Sequence, residues 1–188
     1  MSDLNDKREL SDSFLDLFLE LVYESDRAAV VLGAAKLDEL LRELLESQLI
    51  PPRNSKDNFT DSDGPLGTFS ARAQAAYRLG LLSEDVASKI DSFRRIRNEF
   101  AHRIDIGKIE DAPIADRISS MAKPLRGHSG YDVMFTILKE KMPRASTTAI
   151  ELRLVWGVLA SRILSQIANS RITLGTNSLD FLPPNWKV

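Results

Sequence analysis

Three polar side chains near the end of one predicted helix have types and spacing suited to chemistry. Arg97, Asn98 and His102 lie in the stretch RRIRNEFAH, which runs from residue 94 to residue 102. Histidine can transfer a proton near neutral pH, and arginine can stabilise negative charge on a phosphate. Asn98 and His102 are four residues apart, so a helix places them on one side. These three residues could together support proton transfer at a phosphate ester.

Arg97 is the unusual member, because the helical period places it among apolar side chains. At about 100° per residue, Val86, Ile90, Phe93 and Phe100 form one stripe, and Arg97 lies about 20° from its centre. A guanidinium group keeps its proton, and burying it without a partner is very costly. Arg97 must therefore meet a carboxylate, a set of carbonyl groups or a polar crevice.

Two interpretations of Arg97 stay open. In the first it is a structural residue, paired with a carboxylate of a neighbouring helix. In the second it faces a cleft or a protomer interface, where Arg97, Asn98 and His102 converge. We predict a polar anchor or interface at these three residues and assign no catalytic residue. The candidate carboxylates for the first interpretation are Asp26, Asp38 and Glu39.

The spacing of Arg97, the polar Asn98 and His102 resembles the R-x4-H pattern of the HEPN superfamily of helical ribonucleases. That resemblance implies that an arginine and a histidine from each of two protomers meet at a dimer cleft and cleave RNA without a metal ion. Within this superfamily the resemblance implies either a ribonuclease or an inactive binding module.

A longer resemblance covers about residues 27–102 and continues more weakly through the last helix. The segments RAAVVLGAAKLDELLRELL (27–45), GPLGTFSARAQAAYRLGLLS (64–83) and RRIRNEFAH (94–102) are similar, in this order, to the MtlR family of mannitol operon repressors. The resemblance implies an all-α regulator of transcription that lacks a standard DNA-binding domain and acts by contacting another regulatory protein. Paralogues with this fold need not regulate mannitol.

Composition excludes several other classes of protein. The 188 residues are 43% hydrophobic and 28% charged, which is typical of a globular domain. Cysteine is absent, so disulfides, thiolate metal sites and cysteine nucleophiles are excluded. The two histidines, His102 and His128, are too few for a multi-histidine metal site, and we expect no metal and no cofactor.

The elements that must position these residues are predicted to be helices throughout. Hydrophobic periodicity of about 3.6 residues recurs along the chain, and no segment alternates as a half-buried strand does. We therefore predict one all-α domain, a bundle of about five to seven helices with no sheet. The predicted domain covers residues 1–188. It includes three segments without regular structure: a polar tail over 1–10, a long loop over 50–66 and an irregular tail over 175–188. The helices are expected near 12–22, 26–49, 68–79, 83–101, 115–121 and 133–142 and from a capping box at Thr148 and Glu151.

The end of the long loop resembles a phosphate-binding turn. In GPLGTFSAR, Gly64 and Gly67 precede a helix start at which Thr68, Ser70 and Arg72 are available to an anion. The stretch lacks the Gly-Lys-Ser/Thr ending and the preceding strand of a Walker motif. The alternative is that the two glycines shape a turn and Thr68 caps the helix.

A helix-turn-helix over about 70–95 is a further alternative. Ala76, Gly80 and Val86 have the Ala-x3-Gly-x5-Val spacing of that motif. The second helix would open with Glu84 and Asp85, whose charges repel DNA phosphates. Direct binding to nucleic acid is therefore not expected.

Charge is unevenly distributed along the chain, although the net charge is only −2. Residues 1–66 carry 7 basic and 15 acidic side chains, a net −8, whereas residues 67–188 carry 18 basic and 12 acidic ones, a net +6. Differently solvated faces are one explanation, and attraction between protomers of a homo-oligomer is the other. The polar N-terminus is not a secretory signal, and the apolar run over 28–35 is too short to span a membrane, so we expect a cytoplasmic protein.

Overall fold

The computed structural model describes residues 14–52, 54, 56, 58–102 and 108–169, and for His102 the backbone alone. Within this part of the chain there are seven helices and no strand, which confirms the predicted all-α fold. The predicted tails and the start of the first helix before residue 14 lie outside it. The helices are α1 (14–23), α2 (Asp26–Glu46), α3 (Phe69–Arg78), α4 (Glu84–His102), α5 (Ala112–Ala122), α6 (Ser129–Lys141) and α7 (Thr147–Ala168).

Two of the predicted helix starts are confirmed by their caps. The Thr68 hydroxyl accepts a hydrogen bond from the Ala71 amide at 3.1 Å, and the Ser83 hydroxyl accepts one from the Val86 amide at 3.3 Å. Side-chain oxygens before a helix satisfy amide groups that have no partner within the helix. Gly80, with φ at +73°, makes the turn between α3 and α4.

Two other predicted helix starts are wrong. The cap of α7 is Ser146, which accepts from the Ala149 amide at 3.1 Å, so Thr148 lies inside the helix. Glu151 is buried and binds side chains of other elements, which removes it from the expected capping box. Helix α6 begins at Ser129, within a stretch predicted to be a loop.

The centre of the bundle is the contact between α2 and α7, the two helices that are buried on most sides. Helices α3 and α4 pack against α2, whereas α5 and α6 pack against α7. Gly33 allows the central approach, because a Cβ atom there would lie 3.0 Å from Cδ1 of Trp156 and 3.2 Å from Cζ of Phe93. The Trp156 indole N–H donates to the Gly33 carbonyl oxygen at 2.8 Å, which satisfies a polar group inside the core.

Helix α1 packs against the same tryptophan from the other direction. The Phe18 ring stacks on Trp156 with centroids 6.5 Å apart, and Phe14 does so at the same distance. Gly157 leaves room for this contact, since a Cβ atom there would lie 3.0 Å from Cε2 of Phe18. No helix among the described residues combines the length and apolar character needed to cross a membrane.

Arg153 joins α7 to the turn between α1 and α2. Its side chain is only 1% exposed, yet its guanidinium group donates to the carbonyl oxygens of Leu21 at 3.0 Å and Glu24 at 2.7 Å. It also donates to the Asp26 carboxylate at 2.9 Å and to the Ala149 carbonyl at 2.9 Å. This arrangement neutralises the buried charge and uses its donors, so the guanidinium is tolerated inside the core.

Replacing Arg153 by Leu should lower the free energy of unfolding by about 3 kcal/mol, because Asp26 and the carbonyl groups of Leu21 and Glu24 lose their partner. Chemical denaturation followed by circular dichroism measures the loss. Arg144→Leu, an exposed position just before α7, is the control and should change stability by less than about 0.5 kcal/mol. Equal stability of the two variants would show that Arg153 does not fasten the turn.

A second buried charge holds α6 against α7. Glu151, 3% exposed, accepts hydrogen bonds from Arg126 Nε at 2.8 Å and Arg126 Nη2 at 2.9 Å. The Tyr131 hydroxyl donates to the same carboxylate at 3.0 Å, and Arg126 Nη2 also donates to the Ser119 hydroxyl at 2.8 Å. Burial, and then the hydrogen bond to Glu151, raise the pKa of Tyr131 above its ordinary value. The network ties α5, α6 and α7 together.

The raised pKa of Tyr131 predicts a loss of stability in alkaline solution. The folded state holds the phenol proton more tightly than the unfolded chain, so this contribution is complete below the ordinary tyrosine pKa and is lost as the pH rises through the folded value. Absorbance titration of the phenolate should show a late transition that disappears in Tyr131→Phe. Tyr77→Phe, an exposed control, should keep that transition, and a transition that survives in Tyr131→Phe would contradict the assignment.

Candidate functional site

A cleft of about 380 Å³ opens between α2, the start of α3 and α4. It unites residues from both groups that the sequence singled out, the group at 97–102 and the group at 64–72. Its floor is made by small side chains of α2, and its polar wall comes from α3 and α4. The lining residues are Ala34, Ala35, Asp38, Thr68, Phe69, Ser70, Arg94, Arg97 and Asn98.

The structure places Arg97 outside the apolar stripe on which the helical period puts it. Ile90, Phe93 and Phe100 are buried as predicted, but Ile96 joins them and Arg97 is exposed. Arg97 lines the same cleft as Ala34 and Ala35, whose small side chains leave space in which a long side chain can extend to solvent.

None of the three expected carboxylates pairs with Arg97. Asp26 binds Arg153, Asp38 binds Arg72 at 2.7 Å, and Glu39 lies 3.8 Å from Arg42. The first interpretation, a buried ion pair within the chain, is therefore wrong for the described residues.

Arg97 instead contacts its neighbour in the cleft wall. Its Nη1 donates to Oδ1 of Asn98 at 3.1 Å, and no carboxylate of the described residues lies within ion-pair distance. The bond orients the amide of Asn98, and no carboxylate in the described part of the chain compensates the positive charge of Arg97. The side chain of His102 lies outside the described residues, so its predicted approach to Asn98 stays a prediction.

The second arginine of the cleft wall is partly neutralised. Arg94 donates from Nε and Nη2 to Oδ1 of Asp91 at 3.0 and 2.6 Å, and Arg95 donates to Oδ2 at 2.8 Å. Burial alone would raise the pKa of Asp91, but these hydrogen bonds and the two positive charges outweigh it and lower the pKa. One carboxylate thus serves two guanidinium groups, and the surface beside Arg97 stays positive.

Gly64 and Gly67 shape the loop before α3. A Cβ atom at Gly64 would lie 1.7 Å from the Asn58 carbonyl oxygen, and one at Gly67 would lie 2.4 Å from the Ser62 carbonyl oxygen. The Gly64 amide donates to the Asp61 carbonyl at 2.9 Å, and the Gly67 amide donates to the Gly64 carbonyl at 2.9 Å. Both glycines are needed for the close packing of the turn, and neither lines the cleft.

Arg72 fastens this loop to α2. It is 7% exposed, and it donates to the Asp38 carboxylate at 2.7 Å and to the Thr60 carbonyl at 2.9 Å. Of the predicted anion-binding set, only Thr68 and Ser70 therefore face the cleft. Sequence reasoning missed Arg94, Asp38 and the small α2 residues as cleft residues, because their proximity depends on how α2 and α4 pack.

The cleft can bind an acidic, hydrogen-bonding group. Arg97 supplies a positive charge, Ser70 and Asn98 supply a hydroxyl and an amide, and Phe69 supplies an apolar surface. Among the described residues no group of three or more histidine, aspartate or glutamate side chains is placed to hold a metal ion.

No model of a known protein family matches the chain, and no curated protein matches it either. Its fold is similar to that of a chain in a solved structure described as the X-ray structure of the MtlR-HPr complex from Escherichia coli. The TM-score is 0.59 at 18% sequence identity, over 80% of this chain and 98% of that chain. The two chains share a fold. The comparisons give no support to the HEPN resemblance.

Replacing Arg72 by Leu should release the loop over 58–67 from α2. We expect faster amide hydrogen exchange across the loop and a loss of about 2 kcal/mol in stability, because Asp38 and the Thr60 carbonyl lose their partner. Hydrogen-exchange mass spectrometry checks the first effect. Arg78→Leu, at an exposed position of the same helix, should leave exchange unchanged, and unaltered loop exchange in the Arg72 variant would refute its role.

Proposed function

We propose that this chain is a transcriptional regulator of the MtlR type that works by binding another protein. One observation carries the proposal. Each of the nine residues that line the cleft lies in one of the segments 27–45, 64–83 and 94–102, the three on which the MtlR resemblance depends. Segments far apart in sequence thus meet around a single surface feature, and the similar fold in an MtlR-HPr complex supports the same interpretation.

The buried face and the acidic first turn of α4 favour protein binding over direct DNA binding. Its side chains Ile90, Phe93 and Ile96 are buried, so this face cannot enter a DNA groove. Its first turn presents Glu84 and Asp85, both exposed, which would repel phosphates. We therefore favour a pair of packed helices joined at Gly80 over a DNA-binding helix-turn-helix.

The partner we propose for the first test is HPr, because HPr is the protein bound to MtlR in the similar structure. The cleft offers such a partner a positive charge at Arg97 and hydrogen-bonding groups at Ser70 and Asn98. An acidic side chain at the rim of a protein partner would satisfy this surface. Such a regulator would act in the cytoplasm.

Calorimetric titration of the purified chain with HPr should show binding that weakens at least about tenfold in Arg97→Glu, because the substitution reverses the charge of the cleft wall. Arg78→Glu makes the same change at an exposed position of α3 outside the cleft and should bind as the unaltered chain does.

Absence of binding to HPr would contradict the choice of partner, and equal binding by the Arg97 and Arg78 variants would place the contact outside the cleft. A mobility shift of the operator DNA by the chain alone would contradict the proposal that it acts through a protein.

A further inference from the structure

An exposed apolar surface lies along α6 and α7, on elements that do not line the cleft. Val133 is 58% exposed, and Met134, Ile137 and Val158 are each more than a third exposed. Met134 and Val158 border a groove of about 380 Å³ whose walls include Tyr131 and Leu154. Exposed apolar side chains grouped in this way are typical of an interaction site. We call this surface the α6–α7 groove.

The groove is held in a fixed shape. Tyr131, one of its walls, donates to the buried carboxylate of Glu151, which Arg126 also binds. A buried polar network with its partners in place fixes the side chains that belong to it. The groove therefore does not have to form when something binds, which reduces the entropic cost of association.

One cation lines the groove, and a second lies further along α6. Arg162 of α7 lines it, and Lys141 falls on the same side of α6 as Met134 and Ile137, seven and four residues away. Among the described residues, neither cation lies within ion-pair distance of a carboxylate. The groove thus suits an apolar helix that carries a row of acidic side chains.

Helix α1 has that character. Its exposed apolar residues Leu15, Leu19 and Tyr23 repeat every four residues, so they form one row about 12 Å long. A parallel row of acidic residues lies beside it, one position further along the chain. These are Asp16 and Glu20 of α1 and Glu24 directly after its end, all of them exposed.

Both surfaces lie on neighbouring sides of α7. Helix α1 packs where Gly157 faces Phe18, and the groove is bordered by Val158, the next residue. Consecutive residues of a helix point about 100° apart, so the α1 row and the groove flank one exposed strip of α7. A two-fold axis through that strip can place each copy's α1 over the other copy's groove.

We propose that two copies of this chain pair in this way, with α1 of each seated in the α6–α7 groove of the other. The acidic row of one copy meets Arg162 and Lys141 of its partner in two equivalent contacts. The cleft around Arg97 is built from α2, α3 and α4, so pairing leaves it open. The inference is independent of the proposed partner protein.

Sedimentation velocity over a range of concentrations should show a species of twice the 21.0 kDa chain mass. Two charge-reversal variants test the contact, one carrying Asp16→Lys and Glu20→Lys, the other Lys141→Glu and Arg162→Glu. Each alone should weaken self-association at least about tenfold, because like charges then face each other in both contacts.

An equimolar mixture of the two variants should restore the dimer, since each contact then joins opposite charges again. Lys56→Glu with Arg78→Glu is the matched control, at two exposed positions before and within α3, and should dimerise as the unaltered chain does. A monomer at all concentrations would overturn the proposal. That result would be expected if another segment of the same chain covered these surfaces. A dimer that both reversals leave intact, or a mixture that stays monomeric, would overturn it as well.

Discussion

The close approach of α2 and α7 at Gly33 and Trp156 is the contact on which the other helices depend. The indole fits there only because Gly33 has no side chain, and its N–H is satisfied by the carbonyl of the same glycine. Helices α3 and α4 then cover α2. Helices α5 and α6 cover α7, and α1 packs on the outer side of the indole. A side chain at position 33 would have to push apart two helices whose residues dominate the core.

Around that centre, the chain uses buried arginines to fasten its connecting segments. Arg153 holds the turn between α1 and α2, and Arg72 holds the loop before α3. A guanidinium group has five N–H donors, so one side chain can satisfy both a carboxylate and several carbonyl groups. Arg97 differs from these two because, among the described residues, its charge meets a neighbouring amide and the open cleft but no carboxylate. That difference is why the cleft, rather than either buried arginine, is the surface to which we assign partner binding.

Much of the helical architecture could be predicted from the sequence, because periodicity and caps are local signals. Thr68 and Ser83 mark helix starts through hydrogen bonds to residues only three positions away. The pairing of Arg153 with Asp26 spans 127 residues and leaves no such local signal. A charged pair within ELRLVWGVLA, a segment otherwise too apolar to face solvent, would have indicated that Glu151 and Arg153 are buried. That Ile96 rather than Arg97 joins the apolar stripe was not predictable, since it depends on how α4 packs against α2.

The position of Trp156 makes it an intrinsic fluorescence probe of the packing in the core. It is one of two tryptophans in the sequence, its side chain is 1% exposed, and its indole N–H is bonded to α2. The wavelength of indole emission depends on the polarity around the ring. A change in the spacing of the two central helices would admit water to this ring and shift its fluorescence emission maximum. Tryptophan fluorescence would then report binding events at a distant surface.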